Sequence, residues 1–185
     1  MRKLIISEWL SLDGFVSDKN GQLDFFAGLV RDTFAEPEQV AFLQTIDTVL
    51  MGRATYQQFS AVWPNVPLES GLLAQRMNQA HKIVFSQSLK EAPWGAYESA
   101  FVEARDAAPA IRALKSAPGK DIVLFASISL AQAAMRENLV DEYHLFICPV
   151  LTGGGRRLFM DESCGLRLAS VNRCGGGVVC LKYEA

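Results

Sequence analysis

Apolar positions in this chain fall into two alternating kinds of run, and their order predicts the architecture. Short, nearly unbroken apolar stretches read as buried strands: Lys3 to Leu10, Val49-Leu50-Met51, Ile83-Val84-Phe85, Asp121 to Phe125 and Asp141 to Val150. Between them the apolar residues recur at helical spacing. Glu36-Pro37 opens a helix with Val40, Phe42, Leu43 and Ile46 on its apolar face, because proline suits the first helical position and acids suit the first turn. Further helices are read over Arg53 to Phe59 and over Leu68 to Met77. Another runs from Asp106 as N-cap through Ile111 and Leu114 to the stop at Pro118-Gly119, and a last one runs through Met135 and Leu139. A weaker strand surrounds Ala100-Phe101-Val102. Beyond Leu139 the helical spacing ceases, and Leu166 to Val171 and Val178 to Tyr183 form a hairpin around Gly175-Gly176-Gly177. Strands alternating with helices, then strands alone, predict an α/β fold. Its sheet is mainly parallel with helices on both faces, and an antiparallel hairpin closes one edge. Neither a repeat nor a linker divides residues 1–185, which read as one domain.

The polar residues of interest stand where strands give way to helices. In Met51-Gly52-Arg53-Ala54-Thr55-Tyr56 the strand breaks at Gly52, which permits a tight turn or close backbone approach. Arg53 and Thr55 follow at a helix N-terminus, where free N–H groups and a guanidinium suit an anion. Ser86 and Ser88 follow the strand at Ile83-Val84-Phe85, at the strand end where open α/β sheets bind ligands, or they merely end it. Ala126-Ser127-Ile128-Ser129 form the turn after Phe125 and present helix N–H groups. Asp13-Gly14 is a turn, and Asp13 is either a ligand-facing acid or a side chain bonding its own backbone. The run Gly153-Gly154-Gly155 beside Arg156 is either an anion nest or a wide connection.

Composition removes several classes. Half of the residues are apolar and the formal net charge is −2, so nothing points to nucleic acid or an anionic membrane. The apolar run after Met1-Arg2-Lys3 meets Ser7 and Glu8 too early for a leader or a span, and a cytoplasmic protein is expected. The four cysteines lack metal-ligand spacing and read as reduced thiols, with no metal expected. His81 and His144 read as structural. There is no G-x-G-x-x-G, so a nucleotide site would not be of the Rossmann type.

Leu50-Met51-Gly52-Arg53-Ala54-Thr55-Tyr56 resembles the cofactor-binding segment of dihydrofolate reductases. Ser11-Leu12-Asp13-Gly14, Asp141-Glu142-Tyr143 and Pro149-Val150 with Gly153-Gly154-Gly155 and Leu158-Phe159 extend the resemblance across the chain. It is to the dihydrofolate-reductase-like superfamily, and within it to the C-terminal reductase domain of the bifunctional riboflavin-biosynthesis deaminase–reductase. The resemblance implies a three-layer α/β/α fold, NADPH as cofactor, and reduction of a small heterocyclic or carbonyl substrate. The activity it implies is similar to that of 5-amino-6-(5-phosphoribosylamino)uracil reductase. It implies cofactor contacts at Gly52, Arg53, Thr55, Ser86, Ser88, Ala126, Ser127, Ile128 and Ser129, with Asp13, Asp24 and Glu36 as candidate catalytic acids. It also implies a homodimer through the C-terminal sheet region, for which the apolar strand Tyr143 to Val150 and Leu158-Phe159 are the local motive.

Three departures stand out. Ala126 occupies a place where the relatives carry glycine, and Phe125 one where the riboflavin-pathway enzymes carry a substrate-binding glutamate. Ala80-His81-Lys82 lacks the arginine that grips the folate tail. Dihydrofolate reductase proper and a non-catalytic nucleotide-binding protein remain as alternatives.

Overall fold

The computed structural model describes residues 1–34, 36–160 and 164–185. Among these described residues nine strands form one sheet: β1 (Leu4–Ser11), β2 (Ile46–Gly52), β3 (His81–Phe85), β4 (Ala92–Trp94), β5 (Tyr97–Glu103), β6 (Asp121–Phe125), β7 (Glu142–Cys148), β8 (Arg167–Arg173) and β9 (Val179–Glu184). The helices are α1 (Asp24–Ala27), α2 (Val30–Thr33), α3 (Pro37–Thr45), α4 (Arg53–Val62), α5 (Leu72–Gln79), α6 (Ala107–Ser116) and α7 (Ile128–Arg136). Strand order is β4-β5-β3-β2-β6-β1-β7-β9-β8. Pairing is parallel from β5 to β7 and antiparallel at both margins, through β4 on one side and the β8–β9 hairpin on the other.

Side-chain alternation splits the core into two layers. On β1, Ile5 and Trp9 pack with Phe42, Met77 and Trp94, whereas Leu4, Ile6 and Leu10 pack with Ile111, Ala131 and Leu139. Every β1 residue is therefore buried, as a central parallel strand covered on both faces requires. The three-layer reading holds.

Several boundaries differ from the sequence expectation. Ile46 belongs to β2 and not to the helix before it, so α3 ends at Thr45. The helix expected over Leu68 to Met77 is interrupted at Gly71, whose φ of 127° no right-handed helix tolerates; a 3-10 turn at Leu68–Ser70 precedes α5. Asp106 stands at the N-cap of α6, but its side chain makes no capping hydrogen bond. β4 has no counterpart in the sequence reading. It is three residues long and contains Pro93, yet it carries the fully buried Trp94, whose indole N–H donates to Asn78 Oδ1 at 2.9 Å.

The apolar motive for a dimer also needs correction. β7 lies inside the sheet between β1 and β9, and Tyr143, Leu145, Phe146, Cys148 and Leu158 are buried within this chain. The edge strand on this side of the sheet is β8, where Leu168 and Val171 are about half exposed, and Phe159 is exposed as well.

Candidate active site

β1 and β6 run in register only as far as Ser7 and Phe125, whereas β1 continues beside β7 to Ser11. The sheet thus opens at the carboxyl ends of its middle strands, where open α/β sheets hold ligands. A cleft of about 1460 Å³ occupies this end. That exceeds the roughly 300–1,000 Å³ of an ordinary small-molecule pocket and leaves room for two ligands side by side.

One wall is built from two strand–helix junctions. Gly52 ends β2 and Arg53 begins α4; Phe125 ends β6 and Ile128 begins α7. Both helices point their free N–H groups towards the cleft, which favours an anion there. Ser127 stitches the junctions together: its Oγ accepts the Gly52 N–H at 2.8 Å and donates to Thr55 Oγ1 at 2.6 Å. The turn that places Ser127 is strained, because Ala126 and Ser127 both have positive φ, 52° and 59°. Such conformations cost on the order of 1–3 kcal/mol each and persist where surrounding structure imposes them. The positive φ at Ala126 is a conformation that glycine adopts without strain. Gly52, by contrast, has an ordinary φ of −84°, and a Cβ there would meet Ser127 Oγ at 3.7 Å. Neither backbone conformation nor packing within the chain demands a glycine at this position.

Two arginines flank these junctions. From the start of α4, Arg53 reaches Ser88 Oγ at 3.4 Å, and Ser88 Oγ lies 3.4 Å from Ser86 Oγ. Arg53 thus connects the cleft to the exposed serine pair beyond β3. Arg156 reaches Ser129 Oγ at 3.2 Å on the first turn of α7. Its placement follows from the glycine run before it. A Cβ on Gly155 would sit 1.9 Å from Ser17 O, so this segment lies directly on the 17–18 backbone, and Ser17 Oγ accepts the Arg156 N–H at 3.1 Å. Gly155 therefore answers to close packing, and Arg156 is the anion-facing group the run delivers.

The opposite wall is aromatic. Trp9 stacks on Phe26 with centroids 5.2 Å apart, and Phe34 lies 6.3 Å from both Trp9 and Phe125. The departure at Phe125 thus extends an apolar face suited to a flat ring.

The candidate acids are distributed unevenly. Asp24 lies at the cleft margin, exposed. Asp13 is held away from it: the Ser11 hydroxyl foremost, then the Thr152 and Gly153 N–H groups that its carboxylate accepts at 3.2 and 2.8 Å, lower its pKa to about 2. Glu36 is the N-cap residue of α3 and does not line the cleft. The buried acid that lines it is Glu8, read in the sequence only as the end of an apolar run because it stands mid-strand. Glu8 is 4 % exposed, Oε1 accepts the N–H of Trp9 at 3.1 Å, and Oε2 has no partner. Burial pushes its pKa up to about 8, against the smaller opposing effect of the Trp9 bond. An acid interrupting the apolar run of a central strand was the available signal. Among the described residues, no cluster of three or more His, Cys, Asp or Glu is placed to hold a metal ion, and no helix is long and apolar enough to cross a membrane.

Known proteins resemble this chain over nearly its full length. The chain is 30 % identical over 189 aligned residues to the uncharacterized protein YyaP of Bacillus subtilis (strain 168), covering 99 % of this chain and 95 % of that one. A second Bacillus subtilis protein, YwjB, is 27 % identical over 183 residues, covering 96 % and 95 %. Among solved structures, a Shewanella sp. PV-4 protein provisionally linked to riboflavin biosynthesis superposes with a TM-score of 0.77 at 22 % identity, covering 98 % of both chains. A pyrimidine reductase-like protein of Corynebacterium diphtheriae superposes with a TM-score of 0.65 at 15 % identity, covering 99 % of this chain and 91 % of that one. These structures show the same fold. The family described as RibD C-terminal domain matches residues 2–180, and the chain belongs to that family.

Proposed function

We propose that this protein is an NADPH-dependent reductase of a small, flat heterocyclic substrate bearing a carbonyl or imine. The observation that carries the reading is the convergence of two helix N-termini and two arginines, Arg53 and Arg156, on one 1460 Å³ cleft with an aromatic opposite wall. A dinucleotide needs anion contacts along its pyrophosphate and an apolar slot for its ring, and both are available. The residues fit: Gly52 leaves backbone space, Ser127, Ser129 and Arg156 would face the pyrophosphate, and Arg53 with Ser86 and Ser88 would meet a 2′-phosphate. When bound, the cofactor supplies a hydride; the chain supplies orientation, water exclusion and a proton. The pyrimidine reductase-like name of a structural relative supports the substrate class.

Folate is disfavoured. No arginine stands immediately before β3, where Ala80 is found, and Lys82 is committed, its Nζ donating to the carbonyls of Asn78 and Ala80 at 3.0 and 2.9 Å. We further propose a homodimer formed by this chain, with the β8 edge strand and its half-exposed Leu168 and Val171 as the surface to be covered.

Calorimetric titration of NADPH and NADH tests the reading. NADPH should bind more tightly, and Arg53→Ala should weaken it about ten- to a hundred-fold, the range expected for one charge-assisted phosphate contact. Equal affinity for the two cofactors would remove the assignment of Arg53, Ser86 and Ser88 to the 2′-phosphate. No binding of either would favour the non-catalytic alternative.

A further inference from the structure

We propose that Glu8 is the proton donor of this cleft, with Oε2 the atom that gives its proton to the carbonyl oxygen or imine nitrogen of the bound substrate. The inference rests on the reductase reading above. Geometry motivates it first. Glu8 sits on the part of β1 that has outrun β6, at the opening of the sheet, and it lines the cleft together with Ser7, Trp9 and the β6–α7 turn. Its carboxyl is fixed by the Trp9 N–H on Oε1, which leaves Oε2 as the free end. A folded chain seldom leaves a buried carboxyl oxygen unsatisfied on a cleft wall unless a ligand completes it.

Chemistry narrows the role. Burial with no cation beside it favours the neutral carboxyl at pH 7, and with Oε1 accepting the Trp9 N–H the hydrogen belongs on Oε2, a donor. The other charged groups around the cleft are Asp24, Asp32, Arg53 and Arg156. None of them sets the state of Glu8, which burial governs, with the Trp9 amide acting in the opposite sense. Asp24 and Asp32 are both exposed, so Glu8 is the one buried carboxyl on the cleft wall among the described residues. A general acid performs best with a pKa near the working pH, and water exclusion keeps its proton for the substrate.

The step balances simply. The carbonyl or imine carbon receives two electrons as the hydride of the reduced nicotinamide nucleotide. The Oε2–H bond breaks and its proton bonds to the neighbouring oxygen or nitrogen. The carboxylate left at Glu8 regains a proton from solvent before the next turnover.

The test starts with a signal that needs neither a variant nor a known substrate. In wild-type protein labelled with ¹³C at glutamate carboxyls, the Glu8 resonance should be that of a protonated acid at pH 7 and titrate near pH 8. Saturating NADPH should shift it. A Glu8 resonance that titrates near the ordinary 4.5, or one unmoved by bound NADPH, would overturn the role. The second arm uses NADPH with 5-amino-6-(5-phosphoribosylamino)uracil as probe substrate. Glu8→Gln retains an acceptor for the Trp9 N–H and should bind NADPH within about twofold of wild type. It should slow single-turnover reduction about 10²–10⁴-fold and lose the fall in rate above pH 8 that wild type shows. Reduction by Glu8→Gln at the wild-type rate, with NADPH binding intact, would overturn the role while sparing the reductase reading. Failure of wild type to bind NADPH at all would overturn both. If wild type binds NADPH but leaves this pyrimidine unreduced, or if Glu8→Gln fails to fold, the carboxyl resonance decides alone.

Discussion

Two buried glutamates lie at opposite ends of the sheet, and their fates differ. At the amino end, Glu142 opens β7 with both oxygens engaged: Lys3 Nζ at 2.5 Å, Lys182 Nζ at 3.1 Å and His144 Nε2 at 3.1 Å. These partners, the His144 bond foremost, hold its pKa well below the usual carboxylate range despite burial. At the carboxyl end, Glu8 has one backbone N–H and no cation, and burial raises its pKa to about 8. Exposure is nearly the same, 3 % against 4 %. Burial acts to raise both pKa values; His144, Lys3 and Lys182 outweigh it at Glu142, and no cation opposes it at Glu8. The satisfied glutamate fastens β7 to its neighbours, whereas the unsatisfied one stands on the wall of the large cleft and is left for a ligand to complete.

The largest expected effect concerns pH. The folded-state pKa of Glu8 exceeds the unfolded value, so the native state holds the extra proton. Its contribution to stability is complete below about pH 4.5 and declines as pH rises towards 8. Over that window the loss approaches roughly 5 kcal/mol at about 1.4 kcal/mol per pH unit. His144 acts in the other direction, because burial lowers its pKa and the folded form loses stability as pH falls below about 6.5. The difference between wild type and Glu8→Gln isolates the first effect. Denaturant unfolding from pH 5 to 8 should show Glu8→Gln gaining on wild type by several kcal/mol, and parallel curves would remove the contrast with Glu142.

Breaking the other glutamate should have a smaller, opposite effect. Glu142→Gln leaves Lys3 and Lys182 without their counter-charge but partly exposed, so a loss of about 1.5–3 kcal/mol at pH 7 is expected from its charge-assisted bonds. Its folded pKa is depressed, so the deficit should shrink as pH falls below about 4.5, where the unfolded wild-type chain takes up the proton that the folded chain still excludes. NADPH affinity should not change. A change of tenfold or more would mean that the two ends of the sheet are coupled.

Ala126→Gly should have the smallest effect. Glycine relieves the strain at φ 52° but adds freedom to the unfolded chain, so a net gain of about 0.5–1 kcal/mol is expected in thermal or denaturant unfolding. A loss would show that the alanine methyl packs usefully in the turn.

The sequence exposed some of this contrast and concealed the rest. Strand–helix alternation revealed the parallel sheet, the terminal hairpin and the junctions at Gly52-Arg53 and Ala126–Ser129, because burial period and turn residues are local signals. The break at Gly71 lay in a single positive φ, which apolar spacing does not register. β4 was concealed by its length and by Pro93. β7 looked like an exposed apolar strand only because its neighbours β1 and β9 are distant in sequence. Arg156 joins Ser129 across 27 residues, and Glu8 is defined by where β6 ends, so both depend on tertiary register.

The most direct test of the central claim is a titration of NADPH into ¹⁵N-labelled protein, followed by amide shifts residue by residue. Saturable changes should concentrate at Gly52, Arg53, Ser88, Ser127, Ile128 and Ser129 on the carboxyl-end cleft, leaving Lys3, Glu142 and Lys182 at the amino end unmoved. Changes centred on Lys3, Glu142 and Lys182, or no saturable change anywhere, would contradict the account.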